Sequence, residues 1–182
     1  MDEKSHFRFS SAMAESAVVV LAPELEVVVG EWYRRYTEAG RRGLAPHLTL
    51  LYPFVELEGR GPGPAARIVA ALAPFKPFDV TFAESARFAG EEQTLYLRPE
   101  PSGPFAAMIE ALAAAFPEQP PYGGAFDEVT PHLTVAQGPA SLLDPIESAL
   151  PARLPVTIRV ERVWLVVDTP KGWQRRSAFP LL

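Results

Sequence analysis

The chain has no cysteine. Disulfide bonds and thiolate chemistry are therefore excluded, which agrees with a reducing compartment, and the expected location is cytoplasmic. Long hydrophobic runs are missing too. The opening MDEKSHFRFS holds no basic stretch leading into an apolar one, so neither a signal peptide nor a transmembrane segment is expected, and no membrane partner. An excess of positive charge is also lacking: the formal net charge is −5, which argues against a general nucleic-acid binder. Histidine is scarce, with 3 residues in 182, so any imidazole chemistry must come from His6, His47 or His132.

What is present begins with those histidines. The phrase Pro46-His47-Leu48-Thr49-Leu50 returns, nearly half the chain later, as Pro131-His132-Leu133-Thr134-Val135. Both phrases read as strands. In a strand, residues i and i+2 point to one face, so His47 and Thr49 project together while Leu48 and Leu50 enter a core. His132 and Thr134 do the same, with Leu133 and Val135 behind them. Each threonine thus sets a hydroxyl beside an imidazole. The proline before each histidine favours extended backbone and suits a strand start. Histidine titrates nearest neutral pH, so two of them can serve as base and acid on one substrate. His6 lies in the polar start Met1–Ser10 and reads as a tail residue.

The paired His-x-Thr phrases resemble those of the 2H phosphoesterase superfamily, in the group of 2'-5' RNA ligases and cyclic phosphodiesterases. The resemblance runs from about Ala17 to Leu182 and includes HLTLLYPF, HLTV and the strand around Val160–Val167. It implies an α+β fold of two pseudo-symmetric lobes, antiparallel-rich, with the motif strands facing across a central cleft and helices outside. It also implies a metal-independent enzyme that opens 2',3'-cyclic phosphates of RNA ends or nucleotides to 2'-phosphates. The same site run in reverse would act as a 2'-5' RNA ligase. His47 and His132 would be catalytic and Thr49 and Thr134 would bind substrate, with no cofactor and no metal. The domain expectation is a lead-in over 1–16 and a single bilobal domain over 17–182, as a monomer.

Three alternatives compete with this reading: a phosphodiesterase for a small nucleotide rather than RNA, which the acidic overall charge favours mildly, and two of a different class. One is a noncatalytic module that binds RNA ends or nucleotides in the same cleft. The other is a metal hydrolase using His47 and His132 near Asp127 and Glu128, but no H-x-x-x-H or H-x-D spacing supports it.

The remaining sequence supports two related halves. Ala17–Leu21 reads as a strand. Pro23 and Glu24 start a helix with Leu25, Val28, Val29, Trp32 and Tyr36 on one face. A loop over Gly59–Pro64, a helix over Ala65–Leu72 and strands over Phe78–Phe88 and Thr94–Arg98 follow. Pro104 opens a helix with Phe105, Met108, Ile109, Leu112 and Phe116 on one face, and Pro117–Gly124 is a loop. Leu142, Leu143, Ile146 and Leu150 mark another helix. In Val156–Val167 the alternation changes phase, as a bulge near Glu161–Arg162 would cause. An α+β fold with two antiparallel-rich sheets follows.

Charge and aromatics complete the expectations. Family members often carry a basic residue after the second His-x-Thr, whereas here Gln137 follows, and strand parity puts it opposite His132. Phosphate charge would then be met by Arg41, Arg42, Lys171 or Arg175. Clusters at Arg34, Arg35, Arg41 and Arg42, and at Arg153, Arg159, Arg162, Lys171, Arg175 and Arg176, would guide a phosphate or an RNA end. Tyr122, Phe126 and Trp173 are candidates to stack on a base, while parity assigns Tyr52 and Phe54 to the core.

Overall fold

The computed structural model describes residues 15–54, 63–90, 92–120, 124 and 129–182. Eight strands form one sheet: β1 Ser16–Leu21, β2 His47–Phe54, β3 Phe78–Phe88, β4 Gln93–Glu100, β5 Leu133–Gly138, β6 Val156–Val160, β7 Arg162–Thr169 and β8 Gly172–Pro180. The helices are α1 Glu26–Tyr36, α2 Glu38–Arg41, α3 Pro64–Leu72, α4 Gly103–Ala115 and α5 Ala140–Ala149. None of the described helices is long and apolar enough to cross a membrane.

The strand order is β6-β3-β4-β5-β2-β1-β7-β8, and every neighbouring pair is antiparallel. Each half contributes four strands, with its motif strand innermost. The halves join at one backbone pair, Leu48 opposite Leu133. The expected bulge near Glu161 is instead a change of half. β6 pairs with β3 at one edge of the sheet, and β7 pairs with β1 near the other. Only Glu161 separates them. So short a link requires the sheet to curl until its β6 edge returns toward β7. Ile158 and Val160, then Val163 and Leu165, enter the same core, which explains the phase change in the sequence.

The apolar patterns set the layers. Val18 and Val20 of β1 face the main core, while Ala17 and Val19 face a smaller cluster with Leu44 and Val166. Burial on both faces explains the unbroken AVVVL run. Phe105, Met108, Ile109, Leu112 and Phe116 of α4 are all buried against that core, with Leu48, Leu50, Leu51 and Phe54 of β2. Burial of each such side chain contributes about 1.5–3 kcal/mol.

One glycine fixes the wall beside the motif strands. Gly172 has φ +101°, and an added Cβ would strike the Arg42 carbonyl oxygen. That carbonyl accepts the Trp173 N–H at 2.9 Å, so the loop after α2 docks on the β7–β8 hairpin through backbone contact. Gly172→Ala is expected to lower unfolding free energy by about 1–3 kcal/mol, from left-handed strain plus the collision. Urea denaturation at unchanged m value checks this, and a wild-type midpoint would contradict the packing described.

Candidate active site

His47 and His132 are brought together by the Leu48–Leu133 pair. Continuing that antiparallel register one residue each way sets His47 opposite Thr134 and Thr49 opposite His132. The two leucines point into the core, so all four polar side chains share the other face. They line one cleft of about 280 Å³, together with Tyr33, Tyr52, Gln137, Trp173, Arg42 and the carboxylates Glu15, Glu38 and Asp168. His47 and His132 stand as diagonal neighbours, a spacing of about 7–8 Å in a sheet.

Each imidazole is held in the same way. His47 Nδ1 lies 3.1 Å from the Ala45 carbonyl oxygen, and His132 Nδ1 lies 2.7 Å from that of Thr130. In both cases the acceptor is two residues upstream. A carbonyl only accepts, so Nδ1 carries the proton that it donates, and Nε2 is the nitrogen left for chemistry. The Tyr33 hydroxyl also sits 3.1 Å from His47 Nδ1 and 3.4 Å from the Ala45 oxygen. It can donate to that carbonyl while accepting a share of the Nδ1 proton. His132 instead meets the ring edges of Phe88 and Tyr96, with centroids at 4.9 and 5.5 Å.

Burial lowers both histidines. It pushes His47 down to about 4, against the upward pull of the Ala45 carbonyl, and repulsion from His132 adds to the lowering. His132 is also lowered, first by burial, with the Thr130 carbonyl opposing. At pH 7 the neutral form of both imidazoles is therefore favoured. Among the described residues no protein group hydrogen-bonds the Thr49 or Thr134 hydroxyl, and both face the cleft.

Two residues depart from strand parity, and for one reason. On β2, Leu51 pairs with Val18 and Thr49 with Val19, so Leu50 is an extra residue. On β5, Ala136 pairs with Leu95 and Thr134 with Tyr96, so Val135 is extra. These β-bulges fall three residues after each histidine. Each buries two consecutive residues and returns the next one to the cleft. Tyr52 therefore lines the cleft rather than the core, and its hydroxyl donates to Glu15 at 2.9 Å. Gln137 lines it too, on the face of His132 and not opposite. A second irregularity before Phe54 returns that ring to the core, as parity expected.

The expected cations behave differently. Of Arg41, Arg42, Lys171 and Arg175, only Arg42 lines the cleft. Its guanidinium is bound to Asp168, with Nε 3.0 and 2.9 Å from the two carboxylate oxygens. The pair is internally neutralised. Arg41 donates to the Arg35 carbonyl, and Arg175 lies over Trp164 outside the cleft. Trp173 lines the cleft. Tyr33 lies off the set of residues read from the sequence as one face, although its i−4 relation to Val29 continues that face. His6, Tyr122, Phe126, Asp127 and Glu128 lie outside the described residues.

Solved structures share this fold. The structure of TT0787 of Thermus thermophilus is 21% identical, with a TM-score of 0.56 over 92% of this chain and 97% of that one. E. coli LigT complexed with 3'-AMP is 15% identical, with a TM-score of 0.58 over 93% of this chain and 99% of that one. No curated protein matches the sequence. The family model of the 2'-5' RNA ligase superfamily matches residues 21–171, so this chain belongs to that superfamily.

The lowered His47 has a stability consequence. Unfolded histidine titrates near 6.5, so between about 6.5 and 4 the unfolded chain binds more protons than the folded one. Stability is full above that window and falls as pH drops through it, by about 1–3 kcal/mol from His47. His47→Gln should flatten this decline in urea titrations from pH 7 to pH 4. An unchanged slope would show that His47 is not desolvated.

Proposed function

We propose that this protein is a metal-independent phosphodiesterase that opens 2',3'-cyclic phosphates at RNA ends or on nucleotides, leaving a 2'-phosphate. The observation that carries the proposal is the convergence of two His-x-Thr pairs on one cleft about the Leu48–Leu133 pair. Membership of the 2'-5' RNA ligase superfamily supports it. LigT, which shares the fold, was solved with 3'-AMP and with NADP+, both nucleotides.

The cyclic phosphate sits between the imidazoles. Its negative charge favours protonation of one of them, against the burial that keeps both neutral. The neutral imidazole takes a proton from water through Nε2 as the water oxygen attacks phosphorus. The P–O3' bond breaks, and the protonated imidazole donates its Nε2 proton to the departing O3'. Proton count is conserved: one histidine gains what the other loses. Thr49 and Thr134 donate to the non-bridging oxygens, where charge grows in the transition state. A 5'-hydroxyl in place of water gives the corresponding 2'-5' ligation. Neutral donors and one imidazolium suit an anion whose approach is not assisted by a free guanidinium, since Arg42 is committed to Asp168.

The test is incubation with 2',3'-cyclic mononucleotides in EDTA, with product identification. Wild type should yield 2'-phosphates, and His47→Ala and His132→Ala should each lose about 10²–10⁴-fold in kcat. A folded His132→Ala variant with most of its turnover would remove the two-histidine mechanism. Binding without turnover in the wild type would move the protein to a noncatalytic nucleotide binder.

The pH profile gives an independent check. The reaction needs one neutral and one protonated histidine, so kcat/KM should be bell-shaped and bounded by the two free-enzyme pKa values. Because burial lowers both, the optimum should lie below pH 6.5. An optimum above pH 7.5 would contradict this arrangement.

A further inference from the structure

A second depression, of about 260 Å³, lies where the end of β1 meets the β6–β7 junction. Leu21, Trp164, Arg162, Arg175 and Arg159 line it, together with the carboxylates Glu24 and Glu161. Its position relative to the histidines follows from the ladders. Leu21 is the β1 partner of His47, and Val19 is the β1 partner of both Thr49 and Trp164. Paired residues share a face, so Trp164 lies two strands from Thr49 on the cleft side, about 10 Å away at the ordinary strand spacing. Leu21 and Trp164 both pack on the small apolar cluster of Ala17, Val19, Leu44 and Val166, which floors the space between the two depressions.

The chemistry of this second depression differs from that of the cleft. The cleft has three carboxylates and one neutralised guanidinium. The depression has an indole capped by a guanidinium: Arg175 lies 5.0 Å from the Trp164 ring centroid. Arg175 is exposed, and among the described residues no carboxylate pairs with it. Arg162 meets Glu161 only at 3.8 Å, with both side chains more than half exposed, whereas Arg159 donates to Asp79 at 3.0 Å and lies 4.0 Å from Glu161. Such pairs are weak and yield to a stronger anion. A planar aromatic, a stacking guanidinium and the loosely held Arg162 suit a nucleobase with its phosphate, since bases stack on indole and guanidinium planes without regard to sequence.

We infer that Trp164 and Arg175 form a subsite for the nucleotide next to the reacting one in single-stranded RNA, with Arg162 contacting the intervening backbone. The inference rests on the proposed phosphodiesterase reading for which end of the RNA enters the cleft. It makes the substrate an RNA end at least two nucleotides long rather than a free cyclic mononucleotide.

The experiment compares a 2',3'-cyclic mononucleotide with a trinucleotide ending in the same cyclic nucleotide. Wild type should favour the trinucleotide by about 10–100-fold in kcat/KM, the range that one stacked base supplies. Arg175→Ala and Arg175→Glu should reduce that preference to within about threefold, through KM, with mononucleotide turnover unchanged. Trp164→Leu should do the same if it folds; the exposed Arg175 variants keep the test valid if it does not. Equal kcat/KM for both substrates in wild type, or a preference that survives both Arg175 changes, would overturn the subsite while leaving the hydrolytic reading intact. Anisotropy of a labelled trinucleotide with a 2'-phosphate end reads the subsite without turnover. Arg175-dependent binding by a protein that turns over neither substrate would uphold the subsite and refute the hydrolysis. Absence of both binding and turnover would refute the two together.

Discussion

One backbone pairing carries the arrangement of the cleft. Among the described residues, Leu48 and Leu133 are the only ones through which the two motif strands pair, and they follow His47 and His132 directly. An antiparallel pair has a local two-fold relation, so whatever flanks one residue is set across from what flanks the other. Here that relation puts a histidine opposite a threonine twice. The leucines are buried on the helix side of the sheet, which forces the flanking polar residues to the cleft. A slip of one residue would turn the histidine and threonine of one strand inward together, and burying them unpaired would be costly. The hydrophobic core therefore enforces the register on which the cleft depends.

The two-fold relation extends past the motifs. Each motif strand has a bulge three residues after its histidine, and each histidine gives its Nδ1 proton to the carbonyl two residues before it. The halves then diverge in what surrounds the rings. His47 has the Tyr33 hydroxyl, and His132 has the edges of Phe88 and Tyr96. The returned residue is Tyr52 on one strand and Gln137 on the other. A shared backbone geometry thus carries different side-chain environments, which is what the proposed mechanism, with one histidine as base and the other as acid, requires.

The electrostatics are economical in positive charge. Glu15, Glu38 and Asp168 line the cleft, and the one arginine among them is bound bidentately to Asp168. Cationic side chains with weak or absent carboxylate partners among the described residues lie instead on the neighbouring face around Trp164. Net charge over the whole chain hides this separation, because the acidic and basic groups that balance in the sum occupy different places on one sheet.

Much of the local structure was legible. The α4 face, the β1 run and the alternation of Leu48 with His47 and Thr49 follow from periodicity, because burial of one face imposes period 3.6 or 2 on the sequence. The repeated phrase marked the two histidines and two threonines of the cleft, since so rare a residue type in so similar a context twice is hard to produce by packing alone. Strand parity failed at Tyr52 and Gln137 because a bulge is defined by two strands together, and one strand's sequence carries no mark of the extra residue. Tyr33 escaped notice because a tyrosine on a helix face reads as core until the neighbouring strand brings an imidazole to its hydroxyl. The break at Glu161 was visible only as a change of phase, since whether a chain bends or crosses to another half depends on which strands are free to pair. The sequence by itself determined which faces are apolar and which residues can do acid–base work, because those properties belong to each side chain and its near neighbours. Only the tertiary structure decided that the two histidines meet, that Arg42 is occupied and that burial lowers both imidazoles, because each of these depends on groups far apart in the chain and on water excluded between them.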